Sequence, residues 1–174
     1  MIIAIASDHA SFRYKERIAA LLRKGGHEVR DFGTDSSDQV DYPPFVGAAA
    51  GAVATGKCDW GIVSGGSGNG ETMVANRYRG VRCAFCWNVE SARLARSHND
   101  TNVLAPDKRL LTADLALQIV DIWLETEFEG GLKHRAIVDT PRSHYGSEND
   151  VSVLALMAAP TTFVTLTGTP MAIE

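Results

Sequence analysis

The chain has 174 residues, 45% of them hydrophobic and 22% charged, the size and balance of a single globular domain with room for a core. A net charge of −4, from 17 basic and 21 acidic residues with no run of Lys or Arg, argues against a nucleic-acid partner. No apolar stretch reaches the about 20 residues that span a bilayer, and Met1-Ile2-Ile3-Ala4-Ile5-Ala6 lacks the basic head of a signal peptide, so a cytoplasmic protein without membrane contact is expected.

Strand and helix patterns then alternate along the chain. Residues 2–6 form an apolar strand, and residues 11–24 a helix whose stripe of Phe12, Ile18, Ala19, Leu21 and Leu22 ends at Gly25-Gly26. Residues 27–32 read as a more polar, outer strand, and residues 33–44 as a loop rich in Asp, Ser and Pro. A small-residue helix over 45–55 precedes a third strand over 59–64. A helix at 71–78, a strand at 81–87, a helix at 89–97, a short strand at 102–105 and a helix at 111–125 follow. Residues 132–138 are compatible with a short helix; 151–158 are apolar, and 161–167 have β-type composition. Such alternation implies a parallel sheet covered on both faces. The expected fold is a five-stranded, doubly wound parallel sheet of order 2-1-3-4-5, with its ligand site beyond the carboxyl ends of strands 1 and 3.

The third strand ends in Ser64-Gly65-Gly66-Ser67-Gly68-Asn69-Gly70-Glu71, with four glycines in six residues. Bare amides there meet a helix start, where free N–H groups and the dipole favour negative charge. Glu71 stands where a P-loop needs Lys, and a dinucleotide fingerprint belongs after the first strand with different spacing. Both points disfavour a nucleotide-binding module. A tight strand–helix turn with an ordinary first-turn Glu is the plain alternative; an oxyanion nest beside a base is the functional one.

Asp8-His9 follows the first strand, either as a helix cap or as a pair that grips hydroxyls. Ser97-His98-Asn99-Asp100 lies between the fourth helix and the fifth strand, which adjoins the ligand-binding edge of the sheet. His98 either meets the last helix carbonyls or serves as an acid–base group. Arg109, Lys133, Arg135 and Arg142 are candidate anion contacts. Cys83 and Cys86 form a CxxC, but on a strand residues three apart face opposite ways, so core packing rather than redox or metal chemistry is expected.

Taken in order, Ser7-Asp8-His9-Ala10 with Lys15, Asp41-Tyr42-Pro43, the loop from Gly65 to Glu71 with Ala75-Asn76, Gly80-Val81-Arg82, and Ser97 to Leu104 with Arg109 resemble the ribose-5-phosphate isomerase B / galactose-6-phosphate isomerase family over about residues 1–130. The resemblance implies a Rossmann-like three-layer α/β/α sandwich and a metal-free, cofactor-free aldose–ketose isomerase. It also implies a homodimer, sometimes a tetramer, with active sites shared between subunits. Some members use a cysteine base at the position of Gly65; this chain resembles the branch in which the residue at Glu71 is the base. By the same resemblance His98 opens the sugar ring, and Asp8, His9, Tyr42, Gly66, Ser67, Gly68, Asn69, Gly70, Asn99 and Arg109 meet the substrate. The family's phosphate grip of two arginines a helical turn apart is altered: Lys133 stands at the first place and Ile137 at the second, with Arg135 two residues early.

The resemblance implies interconversion of ribose 5-phosphate and ribulose 5-phosphate through a cis-enediolate. An isomerase of a tetrulose or hexose phosphate, or a non-catalytic sugar-phosphate sensor, is the alternative. The expected division is an isomerase domain over 1–145 and a C-terminal extension over 146–174 that docks on this domain or on a partner subunit.

Overall fold

Alternation along the first strand, β1 (Ile2–Ser7), sets the architecture: Ile3 and Ile5 enter one core, Ala4 and Ala6 the other. A computed structural model describes residues 1–139. The expectations for Arg142, for 151–158 and 161–167, and for a boundary at residue 145 lie outside the described residues. The strands β1, β2 (Glu28–Asp31), β3 (Trp60–Ser64), β4 (Cys83–Cys86) and β5 (Val103–Pro106) form one parallel sheet. The helices are α1 (Phe12–Lys24), α2 (Tyr42–Ala54), α3 (Asn69–Ala75), α4 (Val89–Asn99), α5 (Ala113–Glu125) and α6 (Leu132–Val138). The expected Rossmann-like α/β/α architecture is the one found.

One detail of the expected order needs correction. The sheet runs β2-β1-β3-β5-β4, so β5 inserts between β3 and β4 instead of lying outside β4. Burial explains the exchange: all four residues of β5 are buried, whereas Ala84 and Phe85 of β4 are only partly so. The strand buried along its whole length holds the interior place, and the other holds the rim. Asn76 then covers part of that rim, its side chain bonding the Cys83 amide (2.8 Å) and carbonyl (2.9 Å).

The order also sorts the helices. The β1–β2 and β4–β5 connections cross the sheet one way, and the β2–β3 and β3–β4 connections the other. Right-handed crossovers running in opposite directions lie on opposite faces. Accordingly α1, α4 and α5 share a core around Ile18, Ala95, Ile119 and Trp123, while α2 and α3 share one around Val46, Ala50 and Ala75. Cys83 and Cys86 fall in different cores, and burial pushes their thiols up to about 12 and about 11. The CxxC is core packing.

The second helix starts three residues earlier than the sequence pattern predicts, because Pro43 and Pro44 sit in its first turn, where a missing N–H costs nothing. At the amino edge of the sheet, Trp123 is fully buried, packs on Trp60 (ring centroids 4.9 Å apart) and donates to Thr101 Oγ1 at 2.8 Å. The Arg96 guanidinium lies 4.3 Å over Trp60 and donates to Asp100 and to the Thr101 carbonyl, which fixes the turn after α4.

Candidate active site

The carboxyl ends of β1, β3 and β5 deliver three loops to one place, at the switch point between β1 and β3. Between them lies a cavity of about 320 Å³ lined by Asp8, His9, Ala10, Tyr42, Gly66, Ser67, Gly70, Glu71 and Arg109. That volume suits a small metabolite.

Each wall residue has a local cause. Asp8 caps a 3-10 turn over His9–Ser11, its Oδ1 accepting from the Ser11 amide at 3.2 Å. His9 is tied through Nδ1 to Val40, 3.0 Å from its carbonyl and 3.1 Å from its amide, and presents the rest of its ring to the cavity. Ser11 donates its hydroxyl to the Gly65 carbonyl, joining the first loop to the glycine loop. Asp107 accepts from the Arg109 and Leu110 amides (2.8 and 3.1 Å), and this turn lays the Arg109 side chain over Gly66. The Tyr42 hydroxyl packs on Gly70, where an added Cβ would lie 2.3 Å from it.

Glu71 is the one buried carboxylate on the glycine loop, only 3% exposed. Its side chain folds back over Gly65: a Cβ built there would lie 1.7 Å from Glu71 Oε1 and 2.7 Å from Cδ. The carboxyl group thus fills the space that any side chain at position 65 needs. A residue-65 base and a residue-71 base exclude one another in this geometry. Gly68 starts α3 at φ +77°, and no side chain caps the helix among the described residues. The first-turn amides therefore keep free donors. Thr72 Oγ1 closes back on the Gly68 carbonyl at 2.7 Å and fixes the turn.

Not every residue named from the sequence reaches this cavity. Gly68 is buried beneath Phe85, and Asn69 is exposed; neither is part of the wall. His98 and Asn99 end α4 and therefore lie at the amino edge of the sheet, not at the ligand-binding edge. Lys133 and Arg135 are on α6, beside them: His134 stacks on His98 with centroids 4.2 Å apart. The five residues of β3 span four steps of ~3.3 Å, so the two edges stand ~13 Å apart. Asn99 instead lines a second cavity, of about 400 Å³, with Arg82, Thr101 and Ile137. Arg135 Nε donates to the Gly130 carbonyl at 2.7 Å, so its fork is partly engaged locally, while Lys133 is exposed.

Two residues that contact this set gave no sequence signal of their own. Ser11 looks like any helix start, and Glu129, whose carboxylate faces both His98 and His134, sits in an unpatterned linker. Lys15, part of the family pattern, is 2% exposed and pairs with Asp31 and Glu16 behind the first loop. Its stem lies under Gly33, where a Cβ would also strike the Ser7 amide at 2.6 Å. It supports the site without entering it.

The chain is similar to known proteins. Residues 3–140 match the Ribose/Galactose Isomerase family. The chain is 44% identical over 137 residues to ribose-5-phosphate isomerase B of Escherichia coli K12, covering 79% of this chain and 91% of that protein. The solved ribose-5-phosphate isomerase B of Clostridium thermocellum is similar at 48% identity and a TM-score of 0.78, over 80% of this chain and 94% of that one. The type B ribose 5-phosphate isomerase of Trypanosoma brucei superposes with a TM-score of 0.78 at 32% identity, over 82% of this chain and 97% of that one.

Proposed function

The chain belongs to the ribose/galactose isomerase family, and we propose that it interconverts ribose 5-phosphate and ribulose 5-phosphate at the cavity around Glu71. The observation that carries this reading is the Glu71 carboxylate, buried against Gly65 in a cavity walled by glycine-loop backbone, Asp8, His9 and Arg109.

Moving a carbonyl from C1 to C2 requires taking the C2 proton and returning one to C1. Glu71 does both, and the intermediate is a cis-enediolate whose charge sits on oxygen. The free amides at the start of α3 and the Arg109 guanidinium lie on the same wall and stabilise that charge as it forms. Asp8 and His9 hold hydroxyls. The substrate is mainly a ring in water, so His98 first protonates the ring oxygen.

Within one chain His98, Asn99, Lys133 and Arg135 are on the wrong edge of the sheet for that task. A second copy, related by a two-fold axis, brings its amino edge to the Glu71 cavity and supplies them. Each dimer then holds two composite sites. Lys133 meets the phosphate as a point charge, with Arg135 standing in for the arginine that Ile137 replaces. That altered grip favours testing tetrulose and hexose phosphates beside ribose 5-phosphate; a strong preference for either would replace the proposed substrate.

The test is Glu71→Gln in deuterated water. Loss of a positioned base costs about 10²–10⁴ in turnover, and deuterium should no longer enter the sugar. A folded variant that exchanges and turns over like wild type would remove Glu71 as the base.

A further inference from the structure

The segment after α5 assembles a donor set that the isomerase reaction does not use as such. His98 closes α4, Glu129 lies in the linker, and His134 sits in α6. The Glu129 amide donates to the Ser97 carbonyl at 3.0 Å, which pins the carboxylate beside the last turn of α4. Glu129 Oε1 is 3.9 Å from His98 Nε2, and Glu129 Oε2 is 3.4 Å from His134 Nδ1. The three donor atoms lie within 4.8 Å of one another. Yet His134 Nδ1, itself buried, has no hydrogen-bond partner among the described residues. A buried ring nitrogen without a partner is costly unless something fills its lone pair.

We infer that His98, Glu129 and His134 form a binding site for a divalent transition metal ion of the zinc type. Two imidazoles and a carboxylate are the donors of open, three-ligand zinc centres, with water in the fourth place. Donors on a tetrahedral ion with bonds near 2.0 Å stand about 3.3 Å apart. The Glu129–His134 distance already meets this. The His98 donor, 3.9 Å from Glu129 and at most 4.8 Å from His134, closes by up to about 1.5 Å through a turn of a ring that is 40% exposed, against a carboxylate that is 57% exposed. The ion takes the Nε2 lone pair of His98. On the isomerase reading above, on which this last consequence rests, the bound ion therefore blocks ring opening and inhibits the enzyme.

The experiment titrates the full chain with Zn²⁺ by calorimetry and with Co²⁺ by its visible d–d absorption. One ion per chain and a tetrahedral cobalt band are expected. E129Q and H134N should each weaken binding by at least about tenfold, since even outer-shell partners cost that much. Binding that is absent, or equal in wild type and both variants, overturns the site. In parallel, Zn²⁺ should suppress turnover of ribose 5-phosphate by wild type, with recovery on chelation, while E129Q, measured against its own zinc-free rate, should be inhibited far less. A cobalt band without inhibition leaves the site standing and counts against the role of His98 in ring opening.

Discussion

Replacing Gly65 by alanine probes the most constrained contact in the cavity. The new methyl carbon would sit 1.7 Å from Glu71 Oε1, 2.7 Å from Cδ and 3.3 Å from Cγ. Non-bonded carbon is comfortable only near 3.5 Å or beyond, so the carboxylate must retreat by about 1.5 Å or more. The backbone does not yield easily, because Ser11 holds the Gly65 carbonyl. A misplacement of about 1 Å already costs ~10²-fold in rate. The expected result is a kcat lowered ~10²-fold or more, about 2.7 kcal/mol of barrier, with KM for ribose 5-phosphate little changed. Overpacking typically costs ~1–3 kcal/mol of stability, so the variant should still fold. Steady-state kinetics of ribulose 5-phosphate formation, with a urea midpoint measured alongside, separate the two effects. A folded G65A enzyme within about threefold of wild-type kcat would refute the idea that the carboxylate works from its place over Gly65.

Other consequences concern the frame around the site. Trp123 is fully buried and satisfies Thr101, so W123A should cost ~3–5 kcal/mol by urea unfolding; a cost under about 1 kcal/mol would mean that the α1/α4/α5 core is not packed around this ring. Burial pushes Tyr14 and Cys83 up to about 12 and Cys86 to about 11 in the folded chain. Unfolding releases them to ordinary values, near 8.5 for a thiol. Their contribution is therefore complete below about pH 8.5 and is lost as pH rises through the folded values. The urea midpoint should fall steadily above about pH 9, less steeply in C83A/C86A; a midpoint flat to about pH 10.5 would contradict this.

Local patterns made the fold readable because each strand and helix carries its own period. Ile3 and Ile5 against Ala4 and Ala6, or the stripe of α1, need no tertiary information. The placement of β5 inside β4 did, since both are short apolar runs and only their burial in the sheet separates them. The glycine loop was legible as a nest and Glu71 as its acid, because the spacing puts both at one strand end. What no spacing conveys is that the Glu71 carboxyl occupies the missing side chain of Gly65. His98 was legible as a residue but not as a location. A helix that follows β4 must end at the amino edge, and that edge faces away from Glu71. Glu129 was invisible because a linker carboxylate has no pattern; its amide bond to Ser97 gives it a position.

Mixing inactive subunits tests the proposal that each site is assembled from two copies. On the proposed mechanism, E71Q removes the base from one half-site, and H98N removes the ring-opening acid from the other. Random pairing of equal amounts makes half the dimers mixed, and each mixed dimer holds one site with Glu71 and His98 both intact. Mixed subunits should therefore recover about a quarter of wild-type turnover of ribose 5-phosphate, although each variant alone is nearly inactive. If every site drew both residues from a single chain, the mixture would stay as inactive as its parents, and the composite site would be wrong.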